Sequence, residues 1–323
     1  MATGRTDRGG ALRRTPRPAR TARPRHPGPA GAGVTATAIE VVRAGGLTTV
    51  QDLGRPGWAH LGVPRSGALD PYALRLANRL VGNPEPAAAL ETTMTGCALR
   101  LRQAGTVAVT GAPAVLRVDG RAVDTGGPVA VPAGALVDLG PARSGVRSYL
   151  AVAGGIAVEP VLGSRATDTL SGLGPAPLRD GDTLPVGLVV TGPASVDFLP
   201  TVPPPAELDL RVRLGPRHDW FTPAALEVLL GTAYTIGPMS NRVGARLAGA
   251  ALPRVVPGEL PSEGVALGAI QVPSDGQPLI FLADHPTTGG YPVIAVLDDV
   301  LPLAQARPGT IVRFHGVVDR SIT

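Results

Sequence analysis

The sequence contains no lysine; all 30 of its basic side chains are arginine. A Walker A phosphate loop, a Schiff base and a biotinyl attachment each need a lysine amine, so none can be built from this chain. The single cysteine, Cys97, excludes an internal disulfide and any zinc site of several thiolates. It stands between Gly96 and Ala98 and reads as a small buried core residue, not a nucleophile. Five histidines are scattered without HxxxH or HExxH spacing, which argues against a metal enzyme. Aromatic residues make up only 3% of the chain, whereas 43 glycines and 35 prolines favour many turns over long helices. No apolar run approaches the roughly 18 residues of a membrane span. The longest candidate, 149–163, is interrupted by Gly154, Gly155 and Glu159. A membrane partner is therefore not expected, and a cytoplasmic location is.

The formal charge of +5 is misleading as a whole-chain figure. Residues 1–34 hold eight arginines and one aspartate, a net +7, so the remainder carries −2. A basic face for nucleic acid is absent from that remainder. Residues 1–37 read as a solvated, disordered Pro/Arg tail. No apolar stretch follows Arg13-Arg14, so an export signal is not expected, and translation starting near Val34 would explain the tail.

Past the tail the reading is mostly β. Short strands are expected at 37–42, 47–50, 106–110, 115–118, 121–124, 128–131, 136–139, 149–152, 183–190, 210–214, 269–272, 279–282 and 310–314. Asp119-Gly120 and Ser274-Asp275-Gly276 are hairpin signals. Two helices stand out. Asp70 caps and Pro71 opens the first, with Leu74, Ala77 and Leu80 on one face and Gly82 and Pro84 at its end. Thr222 and Pro223 repeat that opening before Leu226, Leu229 and Leu230. Many strands with few helices argue for a mostly β fold of closed or nearly closed β-barrels, which leave few exposed edges. Prolines crowd residues 198–207, which places a boundary there and gives units 38–205 and 206–323.

Three blocks of polar, glycine-rich sequence carry a resemblance. The first, 49–71, reads TVQDLGRPGWAHLGVPRSGALDP, and its helix ends in NRLVGNP. The second, 239–247, reads MSNRVGARL. The third joins SEGV at 262–265, GAIQVP at 268–273 and DHPTTGGYP at 284–292. In order and spacing these resemble the biotin-dependent carboxyltransferase family, subdomains A and B. That family includes the C subunit of 5-oxoprolinase, the antagonist of the sporulation kinase inhibitor, and allophanate hydrolase subunit 2. The likeness departs at Leu69 and near His285, where relatives often carry methionine and arginine or glutamine. It implies two β-barrel-like lobes, at least one cyclophilin-like, and a small carboxyltransferase-like partner subunit of the kinase-inhibitor type, with a third subunit. It also implies ATP-driven opening of 5-oxoproline to glutamate, with ATP and magnesium as co-substrate and no biotin on this chain. Two other readings stay open: a carboxyltransferase component acting on urea, and a non-enzymatic antagonist of a kinase inhibitor.

Opening a five-membered lactam with ATP needs cations for phosphoryl oxygens and a carboxylate as base or metal holder. Arg55 and Arg242, both in polar loops, are the cation candidates; each could equally be a structural ion-pair arginine. Asp52 and Glu263 lie beside glycines with no helix to cap, so they are the carboxylate candidates. Asp70 is first a cap, and Glu91, after an apolar run, reads as a buried partner for an arginine. Thr287, Thr288, Gly289, Gly290 and Tyr291 could converge backbone N–H groups on an anion or form a tight turn. Gln271 could read an amide through its own amide. Gln51, Ser66 and Asn241 complete the expected substrate-binding set.

Overall fold

The computed structural model describes Met1 and residues 38–188, 203–258 and 260–316. The expected tail beyond Met1, and the part of the expected linker before Pro203, lie outside the described residues. The first lobe holds two antiparallel sheets. One runs in the order Thr183–Pro185, Ala38–Arg43, Cys97–Leu101, Leu136–Ala142, Ala114–Val118, Arg121–Val123. The other runs Thr48–Gln51, Ala89–Thr93, Arg147–Val152, Gly105–Gly111, Val129–Val131. Apolar residues of both sheets, among them Ile39, Val50, Leu99, Val109 and Leu150, share one core. Asp119 (φ 47°) and Gly120 (φ 79°) both occupy the left-handed region, which gives their tight turn the twist an antiparallel pair requires.

All six residues of Arg147–Val152 are buried, because this central strand is covered on both faces. Leu150 and Val152 enter the intersheet core, while Tyr149 and Ala151 meet helix α1, Pro71–Leu80. The helix forms as its sequence dictates. The Asp70 Oδ1 accepts the Ala73 N–H at 2.9 Å, Pro71 fills the first turn, and Leu74, Ala77 and Leu80 are buried at three- and four-residue spacing.

The second lobe is a closed seven-stranded barrel. Its first strand, Glu207–Leu214, alternates from Glu207 to Arg213, with Leu208, Leu210 and Val212 turned inward. Parallel pairing of that strand with the last one, Ile311–Gly316, closes the ring, so no edge is left to recruit another chain. The hairpin expected around Asp275 is present: Ala269–Gln271 and Leu279–Phe281 pair antiparallel. Helix α2, Pro223–Gly231, is capped by Thr222, whose hydroxyl accepts the Ala225 N–H at 3.0 Å. Among the described residues no helix is long and apolar enough to cross a membrane.

Five strands of at least four residues escaped the sequence reading: Ala89–Thr93, Cys97–Leu101, Ala233–Ile236, Gly244–Ala248 and Val293–Leu297. The first is polar at Glu91, Thr92 and Thr93, yet almost wholly buried, so period-two patterning fails there. Cys97 is fully buried, and burial pushes its thiol pKa up to about 12. A thiol reagent at neutral pH is therefore expected to leave the native protein unlabelled and to modify one equivalent after denaturation. Fast labelling without denaturant would contradict that placement.

Candidate functional site

The two lobes meet through ionised side chains, and the centre of this seam is Arg242. It lies in the loop between Ala233–Ile236 and Gly244–Ala248 and is 1% exposed. Its Nε and Nη2 grip the two oxygens of Asp284 side-on, both at 2.9 Å. Nη1 donates to Glu91 Oε1 of the first lobe, and Nη2 donates to the Gly67 carbonyl at 2.6 Å. Glu91 Oε2 accepts from the Tyr149 hydroxyl at 2.7 Å and the Leu69 N–H at 3.1 Å. Asp284 accepts further from Ser66 Oγ (2.7 Å), the Thr169 N–H (3.0 Å) and Thr169 Oγ1 (2.7 Å). Arg147, with Nε 3.6 Å from Glu91, reaches across to the Ala304 carbonyl at 2.7 Å. Arg242 and Arg147 balance Glu91 and Asp284, so the seam buries ions without burying net charge.

Burial alone would push the Glu91 carboxyl up, but the charges of Arg242 and Arg147 and the Tyr149 bond overcome it and hold the group below its ordinary value. Asp284 behaves the same way: burial raises it, and Arg242, Ser66 and Thr169 more than offset that. Burial drives Tyr149 well above the usual phenol range, and the neighbouring Glu91 carboxylate adds to the shift. Tyr149 is thus fixed as a donor.

Asp52, Arg55 and Gln51 gather against the 161–168 loop of the same lobe. Asp52 Oδ1 accepts from the Gly54 N–H (2.8 Å) and Ser164 Oγ (2.6 Å), and Oδ2 accepts from the Arg165 N–H (2.6 Å). Arg55, 1% exposed, donates through Nη2 to the Ala166 carbonyl. Burial lowers its pKa against the opposing pull of Asp168, Asp52 and Asp284. Gln51 Nε2 donates to the Thr167 carbonyl at 3.0 Å. Glycine is required where this loop meets the next: a Cβ on Gly67 (φ 93°) would come within 2.6 Å of the Gly54 nitrogen.

Apart from Asp284, which sits in the Arg242 seam, the third block forms a separate cluster. Glu263–Gly264 pairs with Thr288–Gly289, and the Glu263 carboxylate is engaged by Arg217, with Nε 3.0 Å from Oε2. That bond holds Glu263 below, and Arg217 above, its ordinary pKa. Gln271 Nε2 donates to the Tyr291 carbonyl at 2.9 Å, and Gly289 leaves the room that amide needs. Tyr291 is 41% exposed beneath Arg254, whose guanidinium carbon is 5.7 Å from the ring centre. Thr287 is half-buried and Thr288 exposed. Gly62 of the first lobe approaches: a Cβ there would lie 3.9 Å from Thr287 Oγ1. Asn241 is exposed and folds its Oδ1 back on the Val243 N–H at 2.8 Å.

The structure therefore unites Ser66 with Arg242 through Asp284, and Gln271 with Gly289 and Tyr291. Among the described residues no hydrogen bond or ion pair joins Glu263 to Asp52 or Arg55. Asp284, Arg147, Tyr149, Asp168 and Arg217 were not singled out from the sequence. Asp284 had a usable signal, an acid directly after the apolar run 279–283; the others had none. Among the described residues no three His, Cys, Asp or Glu side chains converge as a metal site.

Comparison with known proteins points in one direction. A family model described as carboxyltransferase domain, subdomain A and B, matches residues 61–316. The chain is 40% identical to the C subunit of 5-oxoprolinase from Escherichia coli (strain K12) over 283 residues, 85% of this chain and 90% of that one. It is 33% identical to urea amidolyase of Saccharomyces cerevisiae, over 86% of this chain but only 16% of that protein. Among solved structures, TTHA0988 superposes with a TM-score of 0.78 at 37% identity, over 88% of this chain and 56% of that one. The K. lactis urea amidolyase superposes with a TM-score of 0.79 at 29% identity, over 89% of this chain and 19% of that one.

Proposed function

Because the chain belongs to the carboxyltransferase family defined by subdomains A and B, we propose that it is the C-type subunit of a cytoplasmic, ATP-dependent 5-oxoprolinase. The observation that supports this above its alternatives is one of identity. The chain is 40% identical to the Escherichia coli subunit and 33% identical to the yeast urea amidolyase, over nearly the same share of its own length. Residues 38–205 and 206–323 then serve as subdomains A and B. A small carboxyltransferase-like partner completes the active complex, with a third subunit.

In this reading ATP phosphorylates the lactam oxygen, and protein cations stabilise the charge that develops. The balanced seam around Arg242 holds the lobes in register. Arg217, bonded to Glu263, and Arg254, which lies over the Tyr291 ring and donates to the Val272 carbonyl, flank the Thr287–Tyr291 loop and are the cations nearest it. Of the two carboxylate candidates, Asp52 is buried and Glu263 is the accessible one, which makes it our choice for proton transfer.

The purified chain mixed with its partners is expected to release glutamate from 5-oxoproline only when ATP is present. Avidin-sensitive carboxylation of urea by the mixture would favour the other reading, and no turnover of either substrate would end the enzymatic one. Glu263→Gln should leave the unfolding midpoint unchanged, because its ion pair is half-exposed. Its turnover should fall by about 100-fold, the usual scale of a lost acid–base group. Wild-type turnover in this variant would remove Glu263 from the chemistry.

A further inference from the structure

Beside the Arg242 seam the lobes enclose a cavity of about 260 Å³. Its walls are apolar, with Leu53 and Leu69 from the first lobe facing Leu267 and Leu301 from the second. Five polar residues interrupt them: Arg65, Ser66, Tyr72, His285 and Asp299. Arg65 is exposed, and among the described residues no hydrogen bond or ion pair engages its guanidinium. Ser66 is 5% exposed and holds a left-handed backbone (φ 53°), a strained state for a residue with a side chain. His285 is 9% exposed, and its Nδ1 lies 2.6 Å from the Pro286 carbonyl. A carbonyl can only accept, so Nδ1 carries the hydrogen and Nε2 of the neutral ring is left as an acceptor. Asp299, at the exposed rim of the cavity, accepts the Leu301 N–H through Oδ1 at 2.9 Å, and among the described residues no hydrogen bond engages its Oδ2.

A larger hollow of about 510 Å³ lies beside α1, but its charged groups Arg75 and Arg79 already pair with Glu85. The seam cavity, by contrast, offers an unpaired cation, an unpaired acceptor and apolar walls in one place. It is smaller than the roughly 300–1,000 Å³ typical of drug-sized ligands, which suits a single small ring.

We infer that this cavity seats a small cyclic amide bearing a carboxylate, with Arg65 taking the carboxylate and His285 Nε2 accepting the ring N–H. The inference rests on the 5-oxoprolinase reading for the identity of the substrate, but not for the existence of the site. The ring's methylene groups lie against the leucine walls, and the lactam oxygen remains free for the phosphorylating partner. Arg65 and His285 come from different lobes, so the site exists only while the seam is closed.

The test compares 5-oxoproline with 2-pyrrolidone, the same ring without its carboxylate, on the assembled complex. Arg65→Met should raise KM for 5-oxoproline about tenfold or more, with kcat nearly unchanged and 2-pyrrolidone unaffected. His285→Asn keeps a donor for Pro286 but deletes the acceptor, and should lower kcat/KM about tenfold for both compounds. His285→Gln can place an amide oxygen near the Nε2 position and should restore most of that loss. A purely structural role for His285 predicts no such rescue. Unchanged KM in Arg65→Met, or equal losses in Asn and Gln, overturns the assignment. If the wild-type complex turns over neither compound, the 5-oxoprolinase reading falls on its own. The cavity is then tested by calorimetry on the intact chain. Saturable 5-oxoproline binding that Arg65→Met abolishes sustains the site, and absence of binding to wild type overturns it.

Discussion

Replacing Arg242 by methionine is expected to cost about 3–5 kcal/mol, the usual penalty for breaking a buried ion pair from one side. Such a loss approaches the whole stability of many domains, about 5–15 kcal/mol. The magnitude follows from what is left behind. Methionine roughly fills the space of the arginine stem, but Glu91 and Asp284 remain 1% and 0% exposed and lose their main countercharge. Lysine should rescue little. A single ammonium cannot bond both oxygens of Asp284, Glu91 and the Gly67 carbonyl in the planar arrangement Arg242 adopts.

The pH dependence of this loss has a definite sign. In the wild type, Glu91 and Asp284 sit below their ordinary values. Their contribution is complete above the unfolded carboxylate range, about pH 4, and is lost as pH falls through the depressed native values. Without Arg242, burial, already the largest single influence on both groups, should raise them instead. The variant's deficit should therefore be greatest at neutral pH and shrink as pH falls toward the unfolded range. Urea unfolding of both proteins at pH 7 and pH 5 measures this. A deficit under about 1 kcal/mol, less than a buried pair warrants, or one that is equal at both pH values, would show that the seam is not held as described.

How much of this was legible in the sequence depends on how local the cause is. Asp70-Pro71 specifies a helix start within two residues, and the strand expected at 210–214 falls within Glu207–Leu214. Arg147–Val152 and Ala89–Thr93 were harder because burial on both faces erases alternation, and Glu91 and Thr92 put polar groups inside. Glu91 could be read as the buried partner of an arginine, since an acid following an apolar run needs one. Which arginine could not be read, because Arg242 lies 151 residues away. The sequence also left Arg242 evenly poised between phosphate ligand and ion pair. In the structure four of its five N–H donors are turned to protein acceptors, and that saturation depends on tertiary geometry alone. Arg65 and His285, by contrast, lie within the polar blocks, but only closure of the seam shows that they share a cavity.

Asp52 gives the second large expected effect and separates scaffold from chemistry. Nothing near it in sequence needs a cap, so a role in the reaction was the natural expectation. Yet both its oxygens are occupied, and two of its three donors come from Ser164 and Arg165, over 110 residues away. Asp52→Ala strands the Gly54 N–H, the Arg165 N–H and the Ser164 hydroxyl, and removes one of the carboxylates opposing the desolvation of Arg55. Hydrogen bonds to a charged acceptor contribute about 1.5–3 kcal/mol each but not additively, so a loss of about 2–4 kcal/mol is expected. Asp52→Asn decides the role. If Asp52 is scaffold, an amide at the Oδ2 position sets N–H against the Arg165 N–H, and flipping it sets N–H against the Gly54 N–H and the Ser164 hydroxyl. Asparagine should then be nearly as destabilising as alanine, and turnover measured well below each variant's midpoint should persist. If Asp52 serves the reaction, asparagine should unfold at the wild-type midpoint and lose turnover.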